Sequence, residues 1–204
     1  MKDKPSEWIS ISDLMAGIMA VIMLLLIMSE LKQQAMKYKL QYERKQKVMQ
    51  VFEVMNTKLQ KLDIANLATF DTVSNKIIFK DAIFEKGSAK LTEPIKKAFS
   101  EVKYYIVDLL KKDSTVVISV DGHTDDDPVK SIVTDYNKYG AVYDDNYTLS
   151  AARAREARKI LIGDLPKELS DRVIVAGYGS TRLLDKNNPL SAVNRRVEIS
   201  INFK

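Results

Sequence analysis

The chain contains no cysteine and a single histidine, His123. The first absence excludes a disulfide framework, a thiolate metal centre and a cysteine nucleophile. The second leaves no second imidazole for a zinc site, and the sequence also lacks a G-x-S-x-G elbow, so hydrolase chemistry has no support. No enzyme, no metal site and no cofactor is expected. His123 instead orients its loop by hydrogen bonding, beside Asp125, Asp126 and Asp127. An interleaved basic and aromatic patch is missing as well. The pI of 9.1 and net charge of +5 are therefore no argument for nucleic acid as a partner. Much of the basic excess sits between Ser29 and Ala65, with eight basic against four acidic residues.

What is present begins with an apolar run, WISISDLMAGIMAVIMLLLIM, from Trp8 to Met28. Its 21 residues contain one charged side chain, Asp13, and at ~1.5 Å per residue they span roughly the ~30 Å of a bilayer core. SELKQQ follows, not a small-residue cleavage site, so an uncleaved transmembrane helix is expected over 8–28, with Trp8 at the interface. A carboxylate at the depth of Asp13 costs on the order of 2.5–3.5 kcal/mol, less near an interface, and such residues are usually functional. Ala16, Gly17 and Ala20 share its helical face and would let a partner helix approach closely. The competing reading is that Asp13 caps the helix at headgroup level.

From Ser29 to about Ala65 glycine and proline are absent, and Lys, Gln, Glu, Met and Leu favour helix. Val48, Phe52, Met55, Leu59 and Leu62 recur at heptad spacing. That seam fits a short parallel coiled coil, or equally an amphipathic helix packed on its own domain.

Beyond it, strands and helices alternate. Asn75–Lys80 reads as a strand, Thr92, Glu93 and Pro94 open a helix ending near Lys112, and Thr115–Val120 is a buried strand. Leu149–Ile162 reads as helix, Arg172–Ala176 as a strand, and Arg196–Phe203 alternates inward Val197, Ile199, Ile201 and Phe203 with polar residues. The fold class is α+β: a transmembrane helix, a helical linker, and a mixed sheet carrying helices on one face.

Three segments carry a resemblance. VDGHTDDDP (Val120–Pro128), NYTLSAARA (Asn146–Ala154) and NRRVEI (Asn194–Ile199), with FEKGSAKLT (Phe84–Thr92) before them, are similar to the signatures of the OmpA-like peptidoglycan-binding family, in particular its flagellar stator B-subunit branch. Tyr147 stands where that branch usually has Trp, and Val129–Asp145 is longer than usual, with the capacity to reshape the pocket rim. The resemblance implies the diaminopimelate stem peptide of peptidoglycan as ligand. Asp125 would take its ammonium and Arg153 its carboxylate, with Thr124, Asn146, Leu149 and Arg196 lining the pocket. A planar guanidinium suits a carboxylate because it donates two parallel hydrogen bonds. The plain alternative is that Asp125 and Arg153 pair only with each other.

A membrane aspartate on an N-terminal helix, a linker and an OmpA-like domain together resemble the MotB-type B subunit of ion-driven stators. WISISDLM looks most like the corresponding ZorB subunit of Zorya anti-phage defence systems. The resemblance implies a homodimer inside a pentameric ring of A-type (MotA/ZorA-like) channel subunits, with Asp13 as the ion-relay residue for protons or sodium ions. The implied layout is a short cytoplasmic tail at 1–7, the transmembrane helix at 8–28, the linker at 29–70 and the OmpA-like domain at 71–204, in the inner membrane with that domain periplasmic. Lys32, Lys37, Lys39, Arg44, Lys45 and Lys47 follow the helix while only Lys2 and Lys4 precede it, which by the positive-inside rule favours the opposite orientation. Long C-terminal domains translocate largely regardless of such charges. A passive wall anchor, which needs no Asp13, and a cytoplasmic membrane-tethered scaffold are the remaining readings.

Overall fold

The computed structural model describes residues 7–85 and 87–204, so all of the expected tail except Glu7 lies outside the described residues. The chain forms two compact units, Met1–Gln46 and Lys47–Lys204. In the first, helix α1 (Glu7–Lys61) begins. Its apolar residues, among them Leu14, Ile18, Leu24 and Leu26, stand exposed. An 18-residue window reaches a mean hydropathy of 2.4 with none of it buried by protein. Large aliphatic side chains left in water forgo about 1.5–3 kcal/mol each, so bilayer hydrocarbon is the medium this composition fits.

The second unit is built on a five-stranded sheet in the order β1-β2-β5-β3-β4. The strands are β1 (Ala68–Asp71), β2 (Lys76–Lys80), β3 (Val116–His123), β4 (Val173–Gly177) and β5 (Arg196–Phe203). All neighbours are antiparallel except β3 and β4, which run parallel. A parallel pair needs a crossover, and α4 (Asn146–Ile162) supplies it, joined by two single-turn helices, α3 (Tyr136–Tyr139) and α5 (Lys167–Ser170). Helix α2 (Glu93–Lys112) precedes β3 and presents Ile95, Phe99, Val102, Ile106 and Leu110 to the core at three- and four-residue spacing. These meet Ile77, Phe79, Ile118, Val120, Val197, Ile199 and Ile201 of the sheet and Ala154, Ala157 and Leu161 of α4. Phe79 and Phe99 pack edge to face at 5.0 Å. The mixed sheet with helices against it is the expected fold class.

The heptad seam is resolved by this packing. Val48, Phe52, Met55 and Leu59 are buried in the core of their own unit, and Phe52 meets Phe70 of β1 at 5.6 Å. Lys47 binds Asp113 at 2.9 Å and Lys58 binds Glu101 at 2.8 Å, tying both ends of the buried stretch to α2 and its C-cap. A seam so covered leaves no face there for a parallel second strand, so the amphipathic-helix alternative holds over these residues. The last part of the expected 29–70 linker is thus core. The Thr115 hydroxyl and the Lys47 ammonium hold the Asp113 carboxyl down at about 2.

The sheet differs from the expectation in the length of β3 and in an additional strand, β1. β3 runs three residues past the expected Val120, because His123 still pairs with Arg196 of β5. Strand β1 had no signal of its own, being four residues long at the sheet edge.

A fragment starting at Lys47 is expected to unfold cooperatively, whereas one starting at Asn66 is not expected to fold. Met55, fully buried, sets the scale: Met55→Ala should lower the unfolding free energy by about 2–5 kcal/mol in denaturant titrations. A loss below ~0.5 kcal/mol, the range of ordinary surface substitutions, would mean that α1 is not part of the core.

Candidate functional site

The site is made where β3 ends beside the start of α4. Two glycines decide that approach. Gly122 of β3 and Gly177 of β4 are register partners. A Cβ on Gly122 would lie 2.0 Å from the Ser150 carbonyl oxygen, and one on Gly177 would lie 2.5 Å from the Ala151 nitrogen. Backbone therefore rests on backbone, which only glycine permits. Asp145 caps α4 by accepting from Thr148 N at 2.7 Å, while Thr148 Oγ1 accepts from Asp145 N at 3.1 Å. This reciprocal cap starts the helix at Asn146, three residues before the expected Leu149. It also places Asn146 to hold the loop after β3, since its Nδ2 donates to the Asp125 carbonyl at 3.2 Å and to the Asp127 carbonyl at 3.0 Å.

A pocket of about 510 Å³ opens there, lined among others by Asp81, Thr124, Asp125, Asn146, Leu149, Arg153 and Arg195. Four of these form a charge array. Arg153 Nη1 lies 2.9 Å from Asp81 Oδ1, Arg195 Nε lies 3.2 Å from Asp81 Oδ2, and Arg195 Nη1 lies 2.5 Å from Asp125 Oδ2. Two carboxylates and two guanidiniums balance. The Arg153–Asp81 contact has ion-pair distance without hydrogen-bond geometry at Asp81 Oδ1. Arg153 is 4% exposed, donates from Nε to the Ser88 carbonyl at 3.1 Å, and stands over the Phe84 ring at 5.1 Å. Burial pushes its guanidinium down from its usual value, against the pull of Asp81. The hydrogen bond to Asp125 pulls Arg195 up. The Thr124 hydroxyl is buried in this wall with no hydrogen-bond partner. Thr124 lines the pocket, but its hydroxyl oxygen is itself shielded from solvent.

Five of the six expected pocket residues come together here: Thr124, Asp125, Asn146, Leu149 and Arg153. Arg196 does not. It is the first residue of β5 and shares the far face of the sheet with Glu198, to which its Nε donates at 2.6 Å. Its other nitrogens donate to the carbonyls of Asn194 and Arg182. Strand alternation is the reason: Val197, Ile199 and Ile201 point into the core, so Arg196 must point away from it. Arg195, just before the strand, takes the pocket position. The sequence pattern held that signal in the same alternation. Asp81, after β2, had none. Asp125 and Arg153 are joined through Asp81 and Arg195 and not, as the plain alternative supposed, directly.

His123 lies on the far face as well, stacked on Tyr178 with ring centroids 5.3 Å apart. Neither of its nitrogens has a hydrogen-bond partner, so the expected loop-orienting bond is not made. Burial, aided by Arg196, lowers its pKa to about 4, which keeps the ring neutral at neutral pH. Among the described residues no three His, Asp or Glu side chains gather as metal ligands. Asp13 stands in the first unit, in a shallow groove with Leu14, Gly17, Ile18, Val21 and Ile22.

Except for Asp81, the residues that line the pocket lie in the stretch that comparison with known proteins picks out. The OmpA family matches residues 83–196, more than half of the chain. The chain belongs to the OmpA family. It is 33% identical over 132 residues to LafU of Escherichia coli K12, described as a truncated flagellar export/assembly protein, covering 62% of this chain and 54% of that one. A second LafU, from Escherichia coli O44:H18, is 33% identical with 37% of its length covered. The chain thus spans about half or less of these relatives. Among solved structures, a MotB-like protein from Desulfovibrio vulgaris shares the fold at a TM-score of 0.57 and 22% identity, over 81% of this chain and 99% of that one. The cell wall anchor of the T6SS from Pseudomonas aeruginosa does so at 0.50 and 24%, over 73% and 96%.

The glycine seat yields a direct test. Gly122→Ala should cost about 1–3 kcal/mol of stability, the usual range for overpacking, because the obstructing atoms are main chain and cannot rotate aside. Thermal melts of the two proteins measure it, and an unchanged midpoint would show that α4 does not depend on this contact.

Proposed function

We propose that this chain grips peptidoglycan and serves as the membrane-anchored B subunit of a stator-type, ion-driven machine. The observation that carries the reading is the balanced array of Asp81, Arg153, Arg195 and Asp125 in a pocket whose lining, Asp81 excepted, falls within the OmpA-family match. The far end of a diaminopimelate residue is a zwitterion. A neutral array with separated plus and minus ends accepts such a group without leaving net charge in the pocket. In this reading its ammonium meets Asp125 and its carboxylate meets Arg153, with Thr124 in the pocket wall beside them. Arg153 is already desolvated and held by Asp81, Ser88 and Phe84 before any ligand arrives, so little ordering is left to do on binding.

The membrane half of the proposal rests on α1. Its apolar window suits a single inner-membrane crossing, with the N-terminus cytoplasmic and the OmpA-family domain periplasmic. Two copies would sit in a ring of five A-type channel subunits, and Asp13 would relay protons or sodium ions. WISISDLM supports Zorya-type anti-phage defence as the output, and the flagellar names of the curated relatives support motility as the alternative. The fold shared with a T6SS wall anchor supports a passive tether as the second reading.

Wall binding is tested by sedimenting the Lys47–Lys204 fragment with purified diaminopimelate-containing peptidoglycan. Arg153→Ala and Asp125→Ala should each weaken binding by more than ~10-fold, since truncating one partner of a buried charge pair costs ~2–5 kcal/mol. If both sediment like the parent, the pocket is not the wall site. The motor reading is tested at Asp13. Asp13→Asn has nearly the size of the protonated acid but cannot release a proton, so it should abolish phage protection or motility while the protein still co-purifies with its channel partner. Full activity in that variant would leave the passive tether standing.

A further inference from the structure

The pocket is larger than one zwitterionic end requires. Its volume of about 510 Å³ lies within the roughly 300–1,000 Å³ of sites that enclose whole small ligands. Part of its wall comes from the long segment between β3 and α4. Pro128, Val129, Lys130, Ser131, Val133 and Tyr143 all line it. This segment is held at both ends. Asn146 Nδ2 fixes the Asp127 carbonyl at 3.0 Å, and Val133 and Tyr143 exchange two backbone hydrogen bonds of 2.8 and 3.1 Å. The Tyr143 hydroxyl adds a bond to the carbonyl of Gly87, another pocket-lining residue, at 2.6 Å. Lys130 is therefore carried at the pocket edge between two anchored points. The interior charges are matched against each other, whereas Lys130 and Asp127 are exposed pocket-lining charges that make no ion pair among the described residues, and of the two only the Lys130 cation attracts a carboxylate.

We propose that Lys130 reads a second carboxylate of the same ligand. Resting on the wall-binding reading, this names the ligand form the site prefers: a stem peptide whose diaminopimelate carries a free carboxylate at its peptide-bonded centre, in addition to the zwitterion at its far centre. Such a group lies a few bonds from the zwitterion, outside the Asp81–Arg153–Arg195–Asp125 array. In a stem extended by further residues, or amidated there, that charge is absent. The site thus favours trimmed stems over extended or amidated ones. The effect is modest because Lys130 is exposed and its attraction is screened by salt.

The test compares two synthetic probes on the full chain in detergent by calorimetry at low salt: L-Ala-γ-D-Glu-meso-diaminopimelate, and the same tripeptide amidated only at the peptide-bonded centre. Wild type is expected to bind the acid about 2–5-fold more tightly than the amide, the range for an exposed ion pair. Lys130→Gln should bind both as wild type binds the amide, and Lys130→Arg should restore the preference. Equal binding of the two probes by wild type, or a preference that survives in Lys130→Gln, overturns the inference and leaves wall binding intact. If neither probe binds while the chain remains folded, both this inference and the wall-binding reading fall.

Discussion

Helix α4 lies with its main chain against the main chain of β3 and β4, and the candidate site depends on that approach. Gly122 and Gly177 face each other across the one parallel strand pair, and each removes the Cβ that would hold the helix away. Because the helix is seated so closely, the Ser150 hydroxyl can accept from Gly179 N at 3.0 Å, tying the turn after β4 to the same helix. Arg153, one turn farther along α4, is thereby delivered to the space beside Thr124 and Asp125. A helix held off by even one methyl group would put its guanidinium elsewhere.

Burying Arg153 creates the second requirement. A desolvated guanidinium is tolerated only with partners, and those come from remote parts of the chain: Asp81 after β2, the Ser88 carbonyl, and the Phe84 ring. Arg195 then bridges Asp81 to Asp125, so the four charges form one neutral unit. Such an array contributes little net stability, since desolvation offsets much of the attraction. It holds charged ends apart at fixed positions. The far face of the sheet carries a separate charged group, Arg196 with Glu198 and Lys76 around neutral His123, and this one is structural.

Helix α1 shows one continuous element serving two media. From Leu14 to Met28 it carries no charged residue and its apolar side chains stand exposed, and from Val48 to Leu59 its apolar positions form a single buried stripe beside the ion-paired Lys47 and Lys58. The change from an uncharged run to a one-sided stripe is written in the residue spacing.

Period and composition alone determined a good deal here. They marked the apolar span with Asp13 inside it, the amphipathic helix from Glu93, the β-branched run of β3 and the alternating β5, because those patterns reflect local geometry that neighbours only reinforce. The motif segments likewise pointed to Thr124, Asp125, Asn146, Leu149 and Arg153. Tertiary structure decided the rest. A heptad stripe buries equally well against a second copy or against its own sheet, so only the packed core could show which one covers Val48 to Leu59. The pocket partner of Arg153 is Asp81, 72 residues away, and nothing local to Asp81 distinguishes it from any loop aspartate. Strand β1 is four edge residues whose pairing with β2 exists only once the hairpin closes. The choice of Arg195 over Arg196 was open in the motif and closed by alternation, since a strand that buries Val197 must turn Arg196 to the opposite face.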